Sequence, residues 1–185
     1  NEISIENFPF AAAKNLTLNL AEGKKIDVWA SRISYVGESG WEIYLNNDSE
    51  EGLALYDSLL EVGVVPVGIE TYANSRRLEK SFRLQGADLE TEYNACESAI
   101  ERRLVKEADF HGKAAHLAHR EEEPSAILCT MTIDDLNVSG SMRYPVGNSP
   151  IIDPASGEVP IDSKGRRSYA TGMSYCPSIK KFVVM

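Results

Sequence analysis

The chain has 185 residues, with 19 Lys and Arg against 28 Asp and Glu, and so a formal net charge of −9 with its three histidines neutral. That balance argues against nucleic acid or an anionic membrane surface as a partner of the chain as a whole, because both are held through cationic groups. Hydrophobic residues at 43% and charged residues at 25% fit a globular protein with a packed core, and no run approaches the roughly twenty apolar residues of a membrane-spanning helix.

Taken in chain order, Asn1 to Phe10 lacks an initiator Met, a basic n-region and an apolar h-region, so it does not read as a secretory signal. Leu16, Leu18 and Leu20 alternate with Thr17 and Asn19, the period of a half-buried strand, and Gly23 marks a turn. Ile26 to Ser34 and Trp41 to Leu45 predict two more strands around Gly37 and Gly40, giving a hairpin or meander. On the last of these strands Trp41, Ile43 and Leu45 share one face and Glu42 and Tyr44 the other. Ser49 is a candidate cap for a helix from about Glu50 to Val62, with Leu53, Tyr56, Leu59 and Leu60 at helical spacing and Gly63 as its stop. A second helix is predicted from Ile69 to about Arg77, whereas Leu78, Phe82 and Leu84 settle on no single period. A strand-rich sheet covered by these helices makes an α+β layer.

Lys113 to Arg120 predicts a short helix. The run Glu121, Glu122, Glu123, Pro124 favours neither helix nor strand and marks a boundary near residue 122. Beyond it Ala126 to Ile133 predicts a strand. Closely spaced Gly and Pro residues, from Gly140 and Pro145 to Gly172, then imply an all-β module, a small barrel or sandwich. The final Lys180 to Met185 reads as a strand with no closing turn, and both ends suggest a piece of a longer polypeptide.

Few residues announce chemistry by themselves. Cys96, Cys129 and Cys176 are far apart, with no CxxC pair and no zinc-like spacing, which fits a reducing compartment and a cytoplasmic location. Cys96 reads as a buried small hydrophobe. His116 and His119 could share a helix face near His111, but no acidic or thiol ligand stands at a matching offset, and an exposed polar helix accounts for them. Nucleotide cradles, serine-hydrolase elbows and zinc-protease helices have no motif here. Arg76, Arg77, Lys80 and Arg83, with Arg102 and Arg103, form basic clusters that suit a small polyanionic tail or a solvated face.

The segment from Ser31 to Tyr44, SRISYVGESGWEIY, resembles the S-R-x-x-Y-T-G-E-x-G-(W/F/Y)-E signature of the glycine cleavage T-protein (aminomethyltransferase) family. Phe8, Pro9 and Phe10 precede it as in that family. Arg77 to Lys80 with Gly86, Ala87 and Asp88 resembles a second block, Asp109 to Lys113 a third, and Pro177 to Lys181 a block near the family's end. The second block is more similar to the branches associated with dimethylglycine and sarcosine dehydrogenases and to folate-dependent demethylases than to the glycine cleavage protein.

The resemblance implies a folate-binding α+β region followed by a small Greek-key β-barrel. Residues 1–108 would form the second half of the folate-binding domain and 109–185 the barrel, truncated at its end. It implies tetrahydrofolate as cofactor, Glu42 as the pterin-binding carboxylate, Tyr35 as a wall of the same cavity and Arg77 as a candidate for the folate glutamate tail. Implied partners are a small-molecule amine or methylated donor, or a lipoyl carrier protein, together with an N-terminal half not contained in this sequence. The family's catalytic aspartate belongs to that half. An arginine that the family places shortly before the second block aligns with Ala73, and a tyrosine that follows the family's last strand has no counterpart before Met185. A non-catalytic folate-binding module, like the folate-binding C-terminal region of a dimethylglycine or sarcosine dehydrogenase-like flavoprotein, is the alternative.

Overall fold

The computed structural model describes residues 3–46, 49–101, 104–134 and 147–185. Arg102, Arg103, Gly140 and Pro145, which figure in the sequence reading, lie outside the described residues. Antiparallel sheets combined with helices make the protein α+β. The chain divides into two compact units, Asn1–Tyr72 and Ala73–Met185. Compactness places this division well before residue 108, and it is a different property from the family-domain boundary expected there.

The first unit is organised by a three-stranded antiparallel sheet in the order β1 (Ala13–Asn19), β2 (Lys25–Ser31), β3 (Glu42–Tyr44). Leu16 faces Val28 and Leu18 faces Ile26 across the first hairpin, so the alternation legible in the sequence fixes the register. The hairpin closes through a short 3-10 turn at Ala21–Gly23, where Gly23 takes a φ of 76°. Ile26, Val28 and Ala30 point to the buried face, which together with the fully buried Phe8 forms this unit's core. Each large aliphatic side chain there contributes about 1.5–3 kcal/mol by leaving water. On the other face of the hairpin the Thr17 hydroxyl donates to Asp27 Oδ1 at 2.7 Å. Gly37, in the β2–β3 connection, takes a φ of 70°, a left-handed conformation that favours glycine.

Helix α1 (Ser49–Glu61) forms as its spacing predicts, and Gly63 follows it in a left-handed conformation. Its expected role as a cover for the sheet is not found within the described unit. Leu53 is 64% exposed and Tyr56 50%, and Val62, Val65, Val67 and Ile69 behind them are exposed as well. The apolar stripe is present but lacks a surface to pack on, so periodicity predicted the helix correctly while overstating its burial.

In the second unit β4 (Met131–Ile133) and β5 (Met173–Cys176) flank β6 (Lys181–Val184) in an antiparallel sheet of order β4-β6-β5. The strand predicted over Ala126 to Ile133 is confined to its last three residues. Upstream of them, the Leu128 amide donates to the Glu97 carbonyl at 2.8 Å, so its backbone hydrogen bond goes to a loop and not to a ladder. Leu78, Cys176, Val183 and Met185 form the core, with Leu128 packed against it. Leu78 belongs to α2 (Arg77–Glu79), which follows a π-helical segment at Glu70–Arg76 and packs against β5 and β6.

The ambiguous stretch after Leu78 now has a physical account. Ser81 adopts a φ of 57°, and the amides of Lys80 and Phe82 both donate to the Arg77 carbonyl, at 3.2 and 3.0 Å. The helix therefore ends in a tight reversal at Lys80 and Ser81, and Leu78 falls in the helix while Phe82 and Leu84 fall in the loop that follows. Helix α3 (Lys113–Glu121) follows the left-handed Gly112, as the sequence predicts. No helix follows it among the described residues.

Candidate functional site

Glu42 opens β3 and pairs with Ser31, while Tyr44 pairs with Trp29 and Ile43 with the buried Ala30. Strand pleating therefore sends Glu42 and Tyr44 away from the core, onto the face that carries Trp29 and Asp27. Two residues apart on one face, they are near enough for the Tyr44 hydroxyl to donate to Glu42 Oε2. The Tyr44 ring rests on Trp29, with centroids 5.0 Å apart and planes inclined at 56°. The arrangement presents a carboxylate already holding one donor, beside an aromatic surface.

Tyr35 lies in the β2–β3 connection, and its ring meets Tyr72 at 5.6 Å between centroids. The Tyr44 hydroxyl is pushed above its usual range, first by its hydrogen bond to Glu42, then by desolvation, then by the charges of Glu42 and Tyr72. Tyr72 is thus packed against the Tyr35 ring and acts on the Tyr44 hydroxyl through charge. Tyr44 also lines an open groove of about 560 Å³ on the sheet face, together with Asn15, Thr17, Asp27 and Trp29. Arg32 lies over the Trp41 ring at 5.1 Å and donates to the Phe8 carbonyl at 2.7 Å, which ties the connection to the N-terminal segment.

Arg77 is placed differently from Glu42 and Tyr35. Only 1% of it is exposed. Its guanidinium pairs with Asp88 and donates to the carbonyls of Ala73, at 2.8 Å, and Phe82, at 3.1 Å. Asp88 in turn accepts from the Thr171 hydroxyl and from the Leu84 amide at 2.8 Å. The local run of basic residues gave no sign of this pairing, because the acceptors come from the π-helical segment before α2 and from the loop and turn after it.

A second buried charge centre was not legible in the sequence. Glu97, with 1% of its side chain exposed, accepts from Arg166 Nη2 at 2.6 Å, from Lys164 Nζ at 2.9 Å and from the Asn94 amide at 3.1 Å. Arg166 also pairs with Asp162 at 2.6 Å and lies over the Tyr93 ring at 4.3 Å. The hydrogen bond from Arg166, helped by Lys164 and by the Asn94 amide, outweighs desolvation and holds the Glu97 carboxyl down to about 2. Burial is the main cause that lifts the Tyr169 hydroxyl, nearby, to about 12. Glu97, Asp162, Arg166 and Tyr169 border a cavity of about 270 Å³ that also touches Ile127, Leu128 and Met185. Its carboxylates, Asp88, Glu97 and Asp162, are all ion-paired, which suits a structural clamp better than acid–base chemistry.

The expectation of a buried Cys96 is corrected. Cys96 is half-buried, Cys129 exposed and Cys176 buried. The fully buried side chain in the 94–97 turn belongs to Glu97 instead, because Asn94 Oδ1 accepts from the amides of residues 96 and 97, both at 2.9 Å, and turns Glu97 inward. Among the described residues no group of three His, Cys, Asp or Glu side chains could hold a metal ion, and no helix is long and apolar enough to cross a membrane.

Fold and site define an α+β protein whose open sheet face presents a carboxylate among aromatic rings. The family described as the GCVT N-terminal domain matches residues 1–107. Similar proteins include human mitochondrial dimethylglycine dehydrogenase, 35% identical over 76% of this chain and 16% of that protein. The aminomethyltransferases of Koribacter versatilis and Symbiobacterium thermophilum are 29% and 31% identical, over 84% and 75% of this chain and 38% and 36% of theirs. The chain belongs to the GCVT, or glycine cleavage T-protein, family. It spans about a sixth of the dehydrogenase and a little over a third of the aminomethyltransferases it matches.

Proposed function

We propose that this chain is part of a tetrahydrofolate-dependent one-carbon transferase, and that Glu42 anchors the pterin. The observation that carries the reading is the Glu42 carboxylate on the open face of the sheet, hydrogen-bonded by Tyr44, whose ring packs on Trp29. A pterin presents a ring N–H beside an exocyclic amino group, a guanidine-like edge that a carboxylate can meet with both oxygens. Each charge-assisted bond of this kind contributes roughly 1.5–3 kcal/mol and together the two fix orientation. An ionised carboxylate has about four lone-pair sites, so one donated bond leaves both oxygens with capacity for the ligand. The acceptor set therefore fits the proposed group.

In this reading Tyr35, packed on Tyr72, walls the ring. Arg77 is held among Asp88 and two carbonyls, which supports a role in fixing the turn around α2 over direct contact with a glutamate tail. Tetrahydrofolate, when bound, supplies the nitrogen that accepts the one-carbon unit. The protein contributes orientation and exclusion of water. The donor would be a small amine, another methylated molecule or a lipoyl carrier protein, and the group acting at the reacting nitrogen would come from sequence outside this chain. The exposed apolar residues of α1 support packing against another part of such a longer polypeptide. We further assign the segment beyond residue 108 to a small Greek-key barrel and the protein to the cytoplasm, in keeping with its unpaired cysteines.

A second reading is a non-catalytic folate-binding module like the folate-binding C-terminal region of a dimethylglycine or sarcosine dehydrogenase-like flavoprotein. The 35% identity to a dimethylglycine dehydrogenase over three quarters of the chain favours it. Turnover separates the two. The full-length protein is incubated with tetrahydrofolate and, separately, with dimethylglycine, sarcosine or an aminomethyl-lipoyl carrier, and folate products are analysed. A one-carbon folate adduct with any donor is the expected result. Folate binding without an adduct would favour the binding module, and absence of folate binding would overturn both readings.

A further inference from the structure

We infer that Tyr44 is a positioning residue for the ligand-binding carboxylate of Glu42, holding it as an oriented acceptor for two adjacent N–H donors. The inference rests on the folate reading above and extends it to a residue whose role neither the sequence motifs nor the family comparison assigns. Its basis is geometric. Tyr44 and Glu42 occupy alternate positions of β3 on the face opposite Ala30 and Ile43, and the Tyr44 hydroxyl donates to Glu42 Oε2.

A glutamate side chain on an open sheet face would otherwise sample several rotamers, and ordering it would oppose ligand binding. Tyr44 limits that freedom because its own ring is held. It packs on Trp29, its cross-strand partner, at 5.0 Å. The hydroxyl is thereby presented to one carboxylate oxygen, and the lone pairs that remain on both oxygens are left for the ligand. Two consequences follow for recognition. The carboxylate acts as an acceptor only, so the complementary ligand edge carries two neighbouring donors, as an amidine, a guanidine or a 2-amino-4-oxo heterocycle does. An edge that alternates donor with acceptor would place one acceptor against a carboxylate oxygen. The upward displacement of the Tyr44 hydroxyl, caused first by Glu42, is the expected signature of a phenol donating to a carboxylate.

The test compares Tyr44→Phe, Glu42→Gln and the double variant in the full-length protein, with tetrahydrofolate affinity measured by titration calorimetry. Tyr44→Phe keeps the ring on Trp29 and removes only the hydroxyl. The account expects it to weaken binding by about threefold to tenfold, and to cost less than that when Glu42 is already Gln. Carbon-13 NMR of the labelled Tyr44 ring gives a readout that general destabilisation would not move. Its titration should lie above the usual tyrosine range in the wild type and fall back in Glu42→Gln. Unchanged affinity in Tyr44→Phe, or losses that simply add in the double variant, would overturn the positioning role while leaving Glu42 as an anchor. Unchanged affinity in Glu42→Gln would instead remove the folate reading and this inference with it.

Discussion

Replacing Glu97 by Gln probes the best-connected buried charge in the second unit. The carboxylate accepts from Arg166, Lys164 and the Asn94 amide, and its carboxyl is displaced from 4.5 to about 2. A group whose native value is depressed stabilises the fold fully above its unfolded value, and that stabilisation is lost as pH falls through the native one. A displacement of this size corresponds to about 3 kcal/mol at neutral pH, which solvent screening through the half-exposed Lys164 reduces to about 2 kcal/mol. Arg166 keeps Asp162 at 2.6 Å in the variant, so the loss is smaller than for a cation left with no partner. Urea unfolding followed by circular dichroism should show Glu97→Gln less stable than wild type by about 2 kcal/mol at pH 7. The difference should shrink as pH drops from 4.5 towards 2, the window set by the two values. A difference below about 0.5 kcal/mol at pH 7, or one that stays constant down to pH 3, would refute the clamp.

Two further outcomes follow from packing in the same unit. Arg77→Met leaves Asp88 buried with only the Thr171 hydroxyl and Leu84 amide, and should lower stability by about 3–5 kcal/mol in urea unfolding, whereas Gly172→Ala, whose Cβ would meet Arg77 Nη2 at 3.2 Å, should be milder. With a thiol reagent at neutral pH, Cys129 should react readily because it is exposed, while Cys176, buried and lifted by that burial to about 11, should react only on unfolding.

Local pattern carried a good part of the fold. The alternation of Leu16, Leu18 and Leu20 gave β1, the spacing of Leu53, Tyr56 and Leu60 gave α1, and Gly112 with Lys113 marked the start of α3. Pattern failed where a segment's partners are remote. Ala126 to Thr130 looks like a strand by composition, yet part of its backbone is held by the carbonyl of Glu97, which no local rule anticipates. The placement of Glu42 and Tyr44 on one face was legible because pleating alone dictates it. The hydrogen bond between them, and Tyr72 beside Tyr35, needed the three-dimensional arrangement. Arg77 and Glu97 show the limit most clearly. Arg77 reads as a member of a basic cluster open to a polyanionic tail and Glu97 carries no local signal at all, yet both are buried in ion pairs, the second with Arg166 at a separation of 69 residues.

The central claim is that Glu42 anchors a pterin, and its most direct test is the tetrahydrofolate affinity of the full-length protein with Glu42 intact and with Glu42→Gln. Gln keeps the size of the side chain but removes the charge and turns one acceptor into a donor facing a donor. The account predicts a dissociation constant raised at least about tenfold, corresponding to about 1.4 kcal/mol or more. Equal affinities in the two proteins would contradict it.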